Sequence, residues 1–307
     1  MQLVISDSRY SAAPASRPTW TRLIATLAIG AGCLLGAAKL AAQPAHLTKG
    51  LQLVDEITAA QKVGVFTDSA GVPLNRYGGS WNSTTDASYV RFLNQATNTL
   101  PANNTKCAPL VTHLLKVAYN WSWYSVANLS FYDPVLKVTK TSSSPAPYQY
   151  IALLKAGKGF ASQVTRLDQA LPGDILLWWN IGSDDKDHAM IIVSVDTASA
   201  KSYPTGLDAS NPALAGTTYY AVRVLDSSSG VHTSDTRIVS VNGVDTQIPG
   251  VGLGTIGILV NAQSQIVGTT WSLPSASYTD EQSDWLDQLH GKLKIQSVTE
   301  AVIGRMP

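Results

Sequence analysis

From residue 171 onward the sequence changes texture to short apolar or alternating runs, each closed by turn residues. They are 174–179 (DILLWW), 188–195 (HAMIIVSV), 218–225 (TYYAVRVL), 256–260 and 266–270. Runs this short, rich in Val, Ile, Thr, Tyr and Trp, read as strands and are too brief for stable helices. A sheet needs apolar cover, and the upstream half supplies helical periodicity. Leu51, Val54, Ile57 and Ala60 mark a helix over 51–62; Tyr89, Phe92, Leu93 and Ala96 suggest a second over 85–100. Residues 107–119 (CAPLVTHLLKVAY) form a third, and a Ser/Pro-rich connector at 139–147 leads into a short helix over 148–156. A late amphipathic helix is expected at 278–289 and a last strand at 301–305. Helices first and strands afterwards predict an α+β domain with N-terminal helices packed on an antiparallel sheet. No internal repeat is present.

Of 307 residues, 45% are hydrophobic and only 14% charged, which excludes disorder as the main state. Residues 23–38 carry no charge, follow Arg17 and Arg22, and run into small residues up to Ala42. That pattern fits a secretory signal peptide, and the run is shorter than the ~20 residues of a spanning helix. The expected organisation is a signal peptide or uncleaved anchor over 1–42, a lead-in over 43–80, and the main domain over 81–307. Export to the periplasm or outside the cell follows, with membrane association only if the leader stays attached. Cys33 invites a lipoprotein reading, but Gly30 stands where a lipobox carries Leu. Four of the 22 basic and one of the 21 acidic residues fall in the leader, leaving 18 basic against 20 acidic. A nucleic-acid partner is not expected on that balance.

Removal of the leader leaves Cys107 as the sole cysteine, unable to form an internal disulfide. A lone thiol in an oxidising compartment is either a small buried hydrophobe or a nucleophile. Pro109 bears on the choice. Proline is tolerated in a first helical turn and disruptive further in, so the helix starts near Lys106 and Cys107 lies in its first turn. Unpaired N–H groups and the positive end of the helix dipole favour a thiolate there. A thiolate needs a base. His46 adjoins the leader, His290 ends a late helix, His113 sits six residues along the same helix, and His232 lies in a polar loop. His188 alone opens an apolar strand. If that strand pairs end to end with 218–225, Val195 faces Tyr219 and His188 faces Asp226, near enough for a carboxylate to orient the imidazole. Cys107, His188 and Asp226 then form a nucleophile, base and orienter; His232 is the alternative third member.

These pieces resemble the NlpC-type, papain-like cysteine peptidases of bacterial cell walls. Cys107 opening a helix, PGDILLWW, and HAMIIVSV match the family's nucleophile helix, its "GD" strand and the strand led by its histidine. The resemblance covers roughly residues 85–275. It implies a papain-like fold, a cysteine hydrolase of amide bonds over 81–307, no cofactor, and peptidoglycan stem peptides or another amide as substrate. Asp226 maps to the polar third residue on the following strand. The family's Asp-Cys-Ser-Gly is here Lys106–Cys107–Ala108–Pro109, and an acidic run, 184–187, precedes the histidine. The missing Asp and Ser help hold the peptide amine in the family, so the wall-peptide specificity does not carry over directly. A silent module binding wall glycan or peptide, and an N-acyl amide or ester hydrolase or acyltransferase, are the rival readings.

Other signals carry less. Residues 252–257 (GLGTIG) match the dinucleotide fingerprint, but ILVNAQSQIVG after them reads as a hairpin where the fingerprint needs a helix. No HExxH or paired CxxC supports a metal site, although Asp226, His232 and Asp235 share one loop. Trp81, Trp121, Trp123, Trp178 and Trp179 supply either core packing or a glycan-stacking surface. The Asn-x-Ser/Thr sites at Asn82, Asn103, Asn120 and Asn128 matter only in a eukaryotic secretory pathway.

Overall fold

The structure is a computed structural model that describes residues 43–79, 85–120, 131–133, 137–140, 144–158, 162–179, 187–202, 216–241, 243–273, 296–297 and 300–306. The leader, the expected helix at 278–289, Trp81, Trp121, Trp123 and His290 lie outside these residues. The helices are α1 (Ala45–Lys62), α2 (Cys107–Tyr119) and α3 (Pro147–Lys155). Short strands occupy the first half: β1 (Asn75–Tyr77), β2 (Tyr89–Arg91), β3 (Ala102–Thr105), β4 (Phe131–Asp133), β5 (Val138–Lys140) and β6 (Ser162–Val164). The long ones follow: β7 (Ile175–Trp179), β8 (His188–Ser202), β9 (Thr218–Ser228), β10 (Ile238–Val241), β11 (Val244–Gln247), β12 (Gly250–Val260) and β13 (Ile266–Thr270), then β14 (Gln296–Ser297) and β15 (Glu300–Arg305). Among the described residues no helix is long and apolar enough to cross a membrane.

The architecture is α+β. Eight strands form one antiparallel sheet in the order β14-β13-β12-β9-β8-β7-β15-β6. Alternation along the central strands sorts side chains into two clusters. Ile175, Leu177, Ala189, Ile191, Leu225 and Val251 meet α1, α2 and α3 on one face. Leu176, Trp178, Met190, Ile192, Val222, Val224, Ile256 and Ile258 fill the other. Beside it, Leu167 N–H, from the one-turn helix Leu167–Gln169, donates to Ser264 O in the β12–β13 turn at 2.9 Å.

The segment 43–80 is part of this core. Leu47, Leu53, Val54 and Ile57 of α1 are buried with Leu110, Leu114 and Leu115 of α2. His46, also buried, bonds Gly173 O through Nε2 at 2.6 Å and meets Tyr119 Oη through Nδ1 at 2.9 Å. The helix expected over 85–100 does not form. Asn94 Oδ1 accepts from the backbone N–H groups of Ala96 and Thr97, and Asn94 bridges Thr99 around Asn98 at φ 51°. Local Asn-to-backbone bonds of this kind compete with a helix. The apolar spacing there serves β2 and a turn.

Candidate active site

The mount of Cys107 is built from both directions. Upstream, β3 is buried along its whole length and pairs in parallel with β1. Asn75 links that small sheet to β12, exchanging two 2.8 Å bonds with the backbone of Val251. Ser227 Oγ donates to Thr105 O at 2.6 Å, so the strand that carries Asp226 is tied two residues ahead of Cys107. Downstream, α2 starts at Cys107 itself, with Pro109 in the first turn and the apolar stripe of Leu110, Val111, Leu114 and Leu115 against the sheet. Asn120, left-handed at φ 49°, ends it.

His188 is the first residue of β8 and lies opposite Trp178 of β7. Its ring is 5.4 Å from that of Trp178 and 5.1 Å from Trp271, which meets it edge-on. Cys107 belongs to the helix-side cluster and His188, by the alternation of β8, to the opposite face, and the two lie close enough for each to shift the other's ionisation. The β8–β9 register differs from the end-to-end expectation. Ile191 pairs with Leu225 and Val195 with Val222, with irregularities at 192/194 and 196/201. Carried outward, that register sets Met190 against Asp226. Asp226 is therefore diagonal to His188, two residues along one face, and a slip of two keeps the face. The carboxylate still reaches: Nε2 of His188 donates to Asp226 Oδ2 at 2.8 Å, leaving Nδ1 for the thiol.

Asp226 is completely buried, within a polar cluster. Oδ2 also faces Nε2 of His232 at 3.0 Å. Arg237 Nη2 lies 3.2 Å from Oδ1 as an ion pair whose angles do not make a hydrogen bond. Arg237 is itself held by Asp235, from Nε to Oδ1 at 2.9 Å and from Nη2 to Oδ2 at 2.6 Å, and donates to Gly250 O and Ser228 Oγ. Room for these side chains comes from β12. Gly252 pairs with Asp226, and a Cβ there would stand 2.7 Å from Arg237; a Cβ on Gly254 would run into His232 and Asp235.

The electrostatics form a chain. Burial by itself raises the Asp226 carboxyl, yet the charges of His232 and Arg237 and the hydrogen bonds from His188 and His232 hold it well below the usual carboxylate range. Burial disfavours the His188 imidazolium, but the Cys107 thiolate and the hydrogen bond to Asp226 raise it to about 9. Burial pushes the Cys107 thiol up, while the charge and hydrogen bond of His188 and the N–H groups of Ala189 and Ala108 bring it down on balance. The combination favours a thiolate–imidazolium pair.

No family model, curated protein or solved structure matches the chain. Its own geometry therefore carries the assignment. Cys107, His188 and Asp226 come together; His232 joins them behind Asp226. His113 bonds Ser88 Oγ at 3.1 Å through Nε2, and burial lowers it to about 4. The loop holding His232 is not loose: Thr233 bridges Thr255, Thr236 N–H donates to Leu253 O at 2.9 Å, and His232 N–H to Asp235 Oδ2 at 2.7 Å. Trp178 is buried beside His188 and Trp179 is half-buried against the helix-side cluster. Arg237 and Trp271 were not singled out by sequence reasoning. The available signal was the glycine alternation in GVGLG, which leaves space on one strand face for something large. Among the described residues no cluster suits a metal ion, and the oxygens of Asp226 and Asp235 are already engaged by His188, His232 and Arg237.

Proposed function

We propose that the chain is an exported cysteine hydrolase of amide bonds, with a papain-like arrangement of the NlpC type and peptidoglycan stem peptides as the favoured substrate. The observation that carries the reading is the His188 imidazole, fixed by Asp226 at 2.8 Å and interacting with Cys107 at the start of α2, whose ionisation it favours. In the ion pair the imidazolium already holds the proton. Cys107 Sγ attacks the carbonyl carbon, and the oxyanion is met by backbone N–H groups at the start of α2, that of Cys107 included. His188 gives its proton to the departing amine as the C–N bond breaks, leaving a thioester. It then takes a proton from water, which attacks the thioester and releases the acid and the free thiolate. Asp226 keeps the ring oriented and balances its charge.

Near-complete burial of both Cys107 and His188, at 7% and 6% exposure, favours as second reading a silent module that keeps the arrangement without turnover. Purified cell wall digested with the wild type and with Cys107→Ala, read by mass spectrometry, separates the two. New peptide ends in the wild-type digest alone support the hydrolase. Identical digests, with a Cys107 that alkylates only at the free-thiol value of about 8.5, overturn it.

A further inference from the structure

Asp226 has two imidazoles on one oxygen. Nε2 of His188 lies 2.8 Å from Oδ2, and Nε2 of His232 3.0 Å from the same atom. The opposite nitrogen of His232, Nδ1, is 2.9 Å from Trp271 O. A carbonyl oxygen only accepts, and so does an ionised carboxylate. Both contacts of His232 are hydrogen bonds only when its ring carries both protons. The groups facing it are Asp226 and Arg237, His188 across the shared carboxylate, and Asp235, which accepts from its backbone N–H. Trp271 completes the arrangement, with its ring 4.4 Å from His232 and 5.1 Å from His188.

From this geometry we infer that His232 is a positioning residue: as a double donor between Trp271 O and Asp226 it fixes the carboxylate that orients His188, and so sets the reactivity of Cys107. The inference rests on reading Cys107, His188 and Asp226 as the catalytic set. It places a second histidine behind the orienter, in contact with Asp226 and Trp271. A merely space-filling His232 would leave the thiol unchanged when replaced by a ring of similar volume.

The test is the pH dependence of iodoacetamide alkylation of Cys107, followed by mass spectrometry on the full chain, which requires no substrate. His232→Phe keeps the ring volume and removes both donors. His232→Gln keeps two amide N–H donors without the charge. The expected result is a wild-type midpoint well below about 8.5, raised by about one pH unit in His232→Phe, meaning roughly ten-fold less thiolate at neutral pH, and largely restored in His232→Gln. A low wild-type midpoint that His232→Phe leaves in place overturns the inference and spares the hydrolase reading. A wild-type midpoint at or above about 8.5 overturns both. If circular dichroism shows His232→Phe unfolded, nitrogen-15 spectra of the wild-type histidines decide: two ring N–H protons on His232 at neutral pH sustain the clamp, and one removes it.

Discussion

Replacing Gly252 by alanine would test whether the glycines of β12 exist to house Arg237. The new Cβ would stand 2.7 Å from Cγ, 2.7 Å from Nε and 2.8 Å from Cδ of Arg237. These atoms lie in the middle of a side chain that is 1% exposed and anchored through Asp235, Ser228 and Gly250 O. It has little freedom to give way. Overpacking of this kind costs about 1–3 kcal/mol. If the guanidinium is driven out, Asp226 and Asp235 lose a buried partner, and the cost approaches about 3–5 kcal/mol. For a domain of this size each kcal/mol lowers Tm by about 2–4 °C, so a fall of roughly 2–12 °C is expected from overpacking alone, and up to roughly 20 °C if the guanidinium is expelled. Urea unfolding followed by tryptophan fluorescence measures it. The decisive comparison is Gly252→Ala in an Arg237→Ala background, where the clash has no partner. The penalty should largely vanish there, giving a coupling of at least about 1 kcal/mol between positions in contact. An equal penalty in both backgrounds, or one below about 0.5 kcal/mol in the wild type, would refute the reasoning.

Turnover against pH should be bell-shaped. The rate rises as the lowered Cys107 thiol ionises and falls as His188 loses the proton it must deliver, near pH 9; an alkaline limb near the ordinary imidazole value would refute the ion pair, and kcat/KM profiles provide the reading. His46→Ala should destabilise by about 1–3 kcal/mol, because Gly173 O loses its buried donor, and should leave the Cys107 alkylation midpoint where it was; denaturation and labelling on the same sample check both halves.

What could be read from the sequence was local. The boundaries of α2 follow from Pro109 and the Leu110–Leu114 stripe, and β7, β9 and β13 follow from short runs closed by turn residues. The face shared by His188 and Asp226 was also legible, since side chains alternate with period two and a slip of two residues preserves it. The register was not, because the irregularities in β8 at 192/194 and 196/201 depend on pairing across the sheet. Apolar spacing at 85–100 misled, since Asn94 settles that stretch through its own backbone bonds. Beyond the pairing of His188 with Asp226, non-local polar contacts were invisible. Nothing in a Ser/Gly/Thr-rich loop announces that Arg237 lies buried beneath it, or that His46 reaches across 127 residues to Gly173.

The position of β15 bears on the order in which the molecule can be made. Synthesised last of the described strands, it is an interior one, with β7 on one side and β6 on the other. Its Arg305 grips Asp174 with two bonds, 2.9 and 2.8 Å, at the turn that launches β7. Until residues 300–305 have left the ribosome, β7 has an open edge and β6 has no neighbour to pair with. Contacts this distant in sequence slow folding and favour completion only after synthesis. Cys107, His188 and Asp226 are all translated more than seventy residues earlier. A nascent chain thus carries all three side chains well before it owns the strand that closes β7, the neighbour of the strand bearing His188.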